Sequence, residues 1–281
     1  MTRSKEPSNS SLGKVYLVGA GPGAADLITV RGAKLLAQAD IVFHDALVEP
    51  EMLALCPRAT LVPVGKRCGK LSSAQAFINK RLIDAAHQFQ TIVRLKGGDP
   101  MLFGRADEEI NALKQAGIAV EVVPGITAAL AGAASIQQSL TLRGISRSVA
   151  FITLAQGTEN IPTDHARQPI AVPSADTMVY YMGRKDAKAI SQQLIEEHVT
   201  FDKTTPVQIL EAVSTSRERH WRGTLTQMAQ GDVDNWFESS SPALIVIGDA
   251  VKAAASLQGI DAEIDDGLQN SRALSHGRRT A

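Results

Sequence analysis

The 281-residue chain is 44% hydrophobic and 21% charged, an ordinary composition for a soluble protein long enough for one large or two ordinary domains with a real core. Lysine plus arginine equal aspartate plus glutamate at 29 each, so there is no overall basic field to draw in a nucleic-acid backbone, and nucleic acid is not an expected partner. Cys56 and Cys68 form no C-x-x-C pair, which suits a reducing compartment and offers no metal framework, and without a secretion-type apolar core or any run of about 18 apolar residues the expectation is a cytoplasmic protein that meets no membrane.

Residues 1–13 are polar and Ser-rich and are expected to be disordered. From Lys14 to Gln138, β-branched runs at Val15–Val18, Ile41–His44, Thr60–Val64, Thr91–Leu95 and Val120–Val123 alternate with helical periodicity, a βαβ pattern that predicts an N-terminal α/β domain over 14–138. The first helix is expected behind Asp26 or Thr29 as N-cap, with Val30, Ala33, Leu36 and Ala37 as its apolar stripe. Residues 139–147 read as a linker punctuated by Arg143, Gly144 and Arg147. Behind it, Ser148–Thr153, Thr177–Tyr181, Pro206–Leu210 and Ala243–Ile247 predict a second α/β domain over 148–252, followed by a loosely ordered tail over 253–281.

The stretch GAGPGAADL, Gly19 to Leu27, admits more than one reading. Gly19, Gly21 and Ala24 fit the G-x-G-x-x-G/A dinucleotide fingerprint, with Asp45 about where the ribose-binding acid would lie. In a dinucleotide site, however, the glycine turn opens a helix directly onto the pyrophosphate. Here the helix is expected only after Asp26 or Thr29, and Pro22 removes a backbone donor. A pyrophosphate cradle and a purely structural turn both stay open on these residues.

Two further stretches repeat the pattern. In LKGGDPMLFGRADEE, Leu95 to Glu109, Gly97 and Gly98 permit close backbone approach at the end of a strand and Asp99 adds an acceptor, although G-G-D-P is also a favourable turn. In VPGITAALAGAAS, Pro124-Gly125 precedes a helix with Thr127 as N-cap candidate and small residues Ala128, Ala129, Ala131 and Gly132 for close packing. Ligands in open α/β sheets bind at the carboxyl ends of strands, where all three glycine loops fall.

With FHDALV (Phe43 to Val48), GKR (Gly65 to Arg67), FGR with Glu108-Glu109, RSVAFIT, YMG (Tyr181 to Gly183) and RGTL, these motifs make the chain resemble the tetrapyrrole methylases from about Val15 to Val251, and among them those that methylate carbons of uroporphyrinogen III. The resemblance implies two α/β domains with S-adenosylmethionine folded in the cleft between them, so that the first glycine loop is no pyrophosphate cradle. It implies that Pro22, Gly97, Gly98, Asp99, Thr127, Ala128 and Met182 line the methyl-donor site, with Val213 and Ala243 beside them. It also implies a homodimer, S-adenosylhomocysteine as one product, and two methylations, at ring carbons 2 and 7, that give precorrin-2 for siroheme, cobalamin or another modified-haem pathway, the last steps on separate enzymes.

A substrate with eight carboxylates needs cations. Arg67, Arg143 and Arg147 are the expected substrate-binding arginines, with Lys66 and Lys70 as weaker candidates, because an arginine fork binds a carboxylate bidentately. A proton must move as the pyrrole tautomerises, and Arg105, Asp45 and Glu108 are the expected catalytic groups. Each has a plainer alternative: Asp45 as a cap for the segment from Glu49, and Glu108 or Glu109 as a solvated helix face. No metal is required. The chain departs from the family's pattern at Ala24, Leu142, Leu154-Ala155 and Ala212-Val213-Ser214, where Asp, His, Gly-His and Asn-Ala-Thr are usual. Those departures leave room for another precorrin or corrin-ring methylase, or for a catalytically weakened tetrapyrrole-binding homologue; a branch that methylates ribosomal RNA is disfavoured by the zero net charge.

Overall fold

Every strand expected in the first half forms: β1 (Lys14–Gly19), β2 (Ile41–His44), β3 (Thr60–Pro63), β4 (Thr91–Lys96) and β5 (Val120–Val123). The computed structural model describes residues 12–46, 48–64, 71–154 and 174–252. Arg67, Lys66, Lys70 and Ala155 lie outside the described residues, as do residues 1–11 of the expected disordered segment and the expected tail over 253–281.

The five strands are parallel in the order β3-β2-β4-β1-β5. Alternate residues bury on opposite faces. Val15, Leu17, Phe43 and Ile92 pack with Leu82 of α3 (Leu71–Ala86) and Leu113 of α4 (Ala106–Gln115). Val18, Val42, Val93 and Leu95 pack with Leu36 of α1 (Val30–Gln38) and Met52 of α2 (Pro50–Leu53). Burial on both faces is why the inner strands read as near-continuous apolar runs, whereas the edge strand β3 is largely exposed.

Thr29 caps α1, its hydroxyl accepting from the Gly32 amide at 3.1 Å, and the glycine loop therefore lies ahead of the helix. The expected stripe needs correction. Val30 is 72% exposed and Ala37 is exposed, while Gly32, Leu36 and the C-cap Ala39 face the core. Starting the helix at Val30 rotates its first and eighth residues away from the sheet.

The second sheet contains β6 (Val149–Thr153), β7 (Thr177–Tyr181), β8 (Pro206–Glu211), β9 (Arg219–Thr224) and β10 (Ala243–Ile247), in the order β6-β7-β10-β8-β9. β10 runs antiparallel to both β7 and β8, and β9 pairs antiparallel to β8 alone. β9 was not expected, since RHWRGT has no apolar run; an edge strand that is only partly buried, with Trp221 packed inward, does not require one. Helices α6 (Ala187–Glu197) and α7 (Leu225–Gln230) cover one face with Ile190, Leu194 and Met228.

The other face of this second sheet receives α5 (Ala128–Ser135), although α5 follows β5 in the chain. Ala129 and Ala131 of α5 pack with Val179, Leu210, Leu244 and Val246. The approach is close enough that a Cβ on Gly132 would stand 2.6 Å from the Leu210 side chain, which explains the run of small residues.

The crossing into the second sheet is pinned by Asp176, whose Oδ2 accepts from the Arg147 and Ser148 amides at 2.8 and 3.0 Å and from the Ser148 hydroxyl at 2.8 Å. The Arg147 amide first, and then the Ser148 groups, hold its carboxyl below the ordinary aspartate range. A depressed carboxyl contributes stability above its unfolded-state pKa and loses it as the pH falls through the folded value. Asp176→Ala is therefore expected to lower Tm at pH 7, with the gap from wild type closing at more acidic pH, read by thermal denaturation across a pH series.

Candidate active site

The three glycine loops leave the adjacent strands β4, β1 and β5 at their carboxyl ends. Gly21 and Gly98 pair through the backbone, the Gly98 amide donating to the Gly21 carbonyl at 2.7 Å and the reverse bond measuring 3.2 Å. A Cβ on Gly125 would lie 2.3 Å from the Gly98 oxygen, and one on Gly19 would lie 2.6 Å from the Gly125 Cα. Gly19 and Gly125 thus serve the packing of loop on loop. Gly98 differs: its φ is +67°, and nothing lies within 4 Å of where its Cβ would be.

Asp99 staples two of these loops. Its Oδ2 accepts from the Gly125 amide at 2.9 Å and its Oδ1 from the Met101 amide at 2.8 Å. The expected acceptor for a ligand is thus already engaged through both oxygens, because the turn that follows needs its amides satisfied.

The facing wall comes from the second sheet. Ala243 lies opposite Glu211 and Leu244 opposite Tyr181, so the register brings Ala243, Met182 and Val213 to one edge. Tyr181 joins the walls: its hydroxyl shares a 2.6 Å hydrogen bond with Thr127 Oγ1 and accepts from the Ala129 amide at 3.2 Å. Burial raises its pKa above the ordinary tyrosine value. Thr127 occupies the N-cap position of α5, but its hydroxyl makes no cap bond; the expected capping role gives way to this bridge. Ser214 Oγ accepts from the Ala24 amide at 3.1 Å, and Arg217 pairs with Glu49 at 3.0 Å. Pro22, Gly97, Gly98 and Asp99 lie on loops of the first sheet and Met182, Val213 and Ala243 on the second, while Thr127 and Ala128 open the helix that crosses between them and contact the second sheet.

At the mouth, Phe103 and Phe151 flank Tyr181 with ring centroids 5.2 and 6.0 Å away. Met101 and Met182 are exposed beside them. A cavity of about 220 Å³ adjoins, bordered by Met101, Phe103 and Arg105.

Two expected catalytic groups meet each other. Arg105, in the left-handed conformation at the N-cap of α4, donates to Glu108 from Nε at 2.6 Å and from Nη2 at 2.9 Å. Both side chains are exposed. Asp45 is no cap for α2, whose N-cap is Glu49; its Oδ1 instead accepts from Arg94 Nη2 at 2.5 Å. Glu109 is not a solvated helix face either. It is fully buried, and it accepts from Arg94 at 3.1 Å, Lys96 at 3.1 Å and Gln75 at 3.2 Å. Burial, and then the neighbouring Arg94 charge, hold Lys96 below its ordinary pKa. Arg143 and Arg147 are exposed around the turn closed by Leu142 and Ser146.

Sequence reasoning missed Tyr181, Phe103, Arg94 and Lys96 as parts of the site. A signal existed for the last two: a cation in the apolar alternation of a strand buried on both faces must have a buried partner.

Residues 14–229 match the family model of the tetrapyrrole (corrin/porphyrin) methylases. A siroheme synthase of Pseudomonas fluorescens is 43% identical over 242 residues, spanning 85% of this chain and 50% of that protein. The chain thus spans about half the length of the curated relatives it matches. Among solved structures, uroporphyrin-III C-methyl transferase from Thermus thermophilus complexed with S-adenyl homocysteine superposes with a TM-score of 0.68 at 36% identity, over 85% of this chain and 94% of that one. Cobalt precorrin-4 methyltransferase, a cobalamin biosynthetic enzyme, superposes with a TM-score of 0.68 at 28% identity, over 85% of this chain and 96% of that one.

The glycine geometry makes a stability prediction. Gly98→Ala meets open space and carries only the left-handed strain of about 1–2 kcal/mol, whereas Gly125→Ala drives a methyl into a backbone oxygen and is expected to destabilise by clearly more. Urea denaturation of both variants checks the ranking.

Proposed function

Because the chain belongs to the tetrapyrrole (corrin/porphyrin) methylases, we propose that it is an S-adenosylmethionine-dependent C-methyltransferase that converts uroporphyrinogen III to precorrin-2 by methylating ring carbons 2 and 7. The observation that carries this reading is the open backbone at Gly98, set in a layer of three glycine loops packed on one another. A folded methyl donor with a neutral adenine and a zwitterionic tail suits such a slot of backbone donors and apolar walls.

S-adenosylmethionine supplies a methyl group already activated by its sulfonium. The protein's own work is then to align the reactants and exclude water, an advantage of about 7–11 kcal/mol in favourable cases. Pro22, Gly97, Gly98, Asp99, Thr127, Ala128, Met182, Val213 and Ala243 hold the donor. Phe103, Phe151 and Tyr181 offer the macrocycle an aromatic floor. Arg105 turns its guanidinium from Glu108 toward a substrate carboxylate or the reacting pyrrole, and Asp45 receives the released proton on Oδ2, the oxygen that Arg94 does not hold. Arg67, Arg143 and Arg147 pair with outer carboxylates. The halves over 14–138 and 148–252 act as two domains joined by 139–147, in a cytoplasmic homodimer that takes a small tetrapyrrole and no nucleic acid, and whose product serves siroheme or cobalamin synthesis. A second reading, a later corrin-ring methylase, rests on the equal superposition of the precorrin-4 enzyme, which is less similar in sequence at 28% identity than the uroporphyrin-III enzyme at 36%.

Incubating the protein with labelled S-adenosylmethionine and enzymatically made uroporphyrinogen III is expected to give a dimethylated product by mass and absorbance. Labelling of a precorrin-4-type substrate in its place would select the second reading. S-adenosylhomocysteine is expected to raise Tm, adding about 2.7 kcal/mol at 100 times its Kd, whereas NAD and FAD leave Tm unchanged. Arg105→Lys keeps the charge but loses the planar fork. It is expected to lower kcat/KM at least tenfold, about 1.4 kcal/mol of transition-state stabilisation, with S-adenosylhomocysteine affinity within about threefold of wild type by calorimetry.

A further inference from the structure

The buried ions beneath the site are more elaborate than stability requires. Arg94 and Lys96 are 2% and 3% exposed on the face of β4 that also carries Ile92, and Glu109 is fully buried. Buried ion pairs are often no more stable than apolar residues of similar volume. The Arg94 guanidinium is fixed on three elements at once: Nε donates to Glu109 of α4 at 3.1 Å, Nη1 to the Leu95 carbonyl of β4 at 3.1 Å, and Nη2 to Asp45 behind β2 at 2.5 Å. Gln75 of α3 donates to the same Glu109 oxygen as Arg94, and Lys96 to the other, so both oxygens of Glu109 are held. Of the four charged side chains only that of Asp45 reaches solvent, 32% exposed against 3%, 4% and 0% for Arg94, Lys96 and Glu109. The network therefore ends on one oxygen of one carboxylate, at the carboxyl edge of the first sheet.

We propose that Arg94 is a positioning residue for the proton step: anchored from behind by Glu109, it holds the Asp45 carboxylate in a single orientation with one oxygen presented to the substrate. This rests on the reading of Asp45 as proton acceptor. Lysine cannot replace Arg94, because an ammonium has no planar fork to span Glu109, Leu95 and Asp45 together.

Arg94→Lys, Asp45→Asn and the double variant test it by steady-state kinetics with uroporphyrinogen III. Each single variant is expected to lower kcat about tenfold or more, with KM for uroporphyrinogen III and Kd for S-adenosylhomocysteine within about threefold of wild type. The double variant is expected to fall no further than about threefold below the worse single one, because groups that act as one unit are not additive. Penalties that multiply, or normal kcat in Arg94→Lys, overturn the proposal and leave the reading of Asp45 standing. Normal kcat in Asp45→Asn overturns that reading, and the positioning role with it. Should Arg94→Lys fail to fold, Asp45→Glu decides: it keeps the charge but displaces the carboxylate, so a loss of kcat at unchanged S-adenosylhomocysteine affinity supports the proposal and wild-type kcat overturns it.

Discussion

The Gly98 carbonyl lies where a side chain on Gly125 would have to be, 2.3 Å from the position of its Cβ. Everything at the site depends on that approach. Three neighbouring strands end together only because their loops carry no side chains at the points of contact, and Asp99 then ties the second loop to the third through the Gly125 amide. The result is a layer of backbone with little freedom to rearrange, in which Gly98 meets open space rather than a neighbouring loop. A site assembled from main chain in this way has its hydrogen-bonding groups already in place before any ligand arrives, which lowers the ordering cost of binding.

Much of this architecture was legible because its causes are local. The strand runs of the parallel sheet follow from burial on both faces, and Ile41–His44, Val120–Val123, Thr177–Tyr181 and Ala243–Ile247 match the observed strands end to end. The late start of α1 followed from Thr29. What could not be read depends on distant partners. β9 exists because β8 offers it a hydrogen-bonding edge. Glu109 looks like one more acid in the first turn of α4 until Arg94 and Lys96 are brought beneath it by a different element. Thr127 carries every local sign of a cap, and Tyr181, 54 residues away in sequence, takes its hydroxyl. Among the proposed site residues, the glycines and Asp99 were recognisable from their motif, while Tyr181 and Arg94 were not.

Backbone strain marks the same region. Of the six non-glycine residues with positive φ among the described residues, Phe103 and Arg105 follow the second glycine loop, and Met182, Ala212 and Ser214 lie on the opposing wall. Such conformations cost energy and persist where surrounding contacts over-determine them, which concentrates them at functional sites. Ala212, at φ +49°, holds a left-handed conformation that asparagine tolerates better than alanine does. The chain keeps the conformation without the favourable residue. At Ala24 the contact to Ser214 is made by the backbone amide, so it does not depend on which side chain stands at that position.

The placement of α5 bears on how the molecule is held together as a polymer. The helix is covalently continuous with the first sheet through β5 but contributes its apolar face to the core of the second, against Leu210, Val179 and Val246. A cut in the chain between 139 and 147 would therefore not release two autonomous folding units. The amino-terminal fragment would carry an apolar helix with no sheet to cover it, and the carboxyl-terminal fragment would present a bare sheet face. The helix is thus a tie between the halves, its chain continuous with the first sheet and its apolar face part of the core of the second.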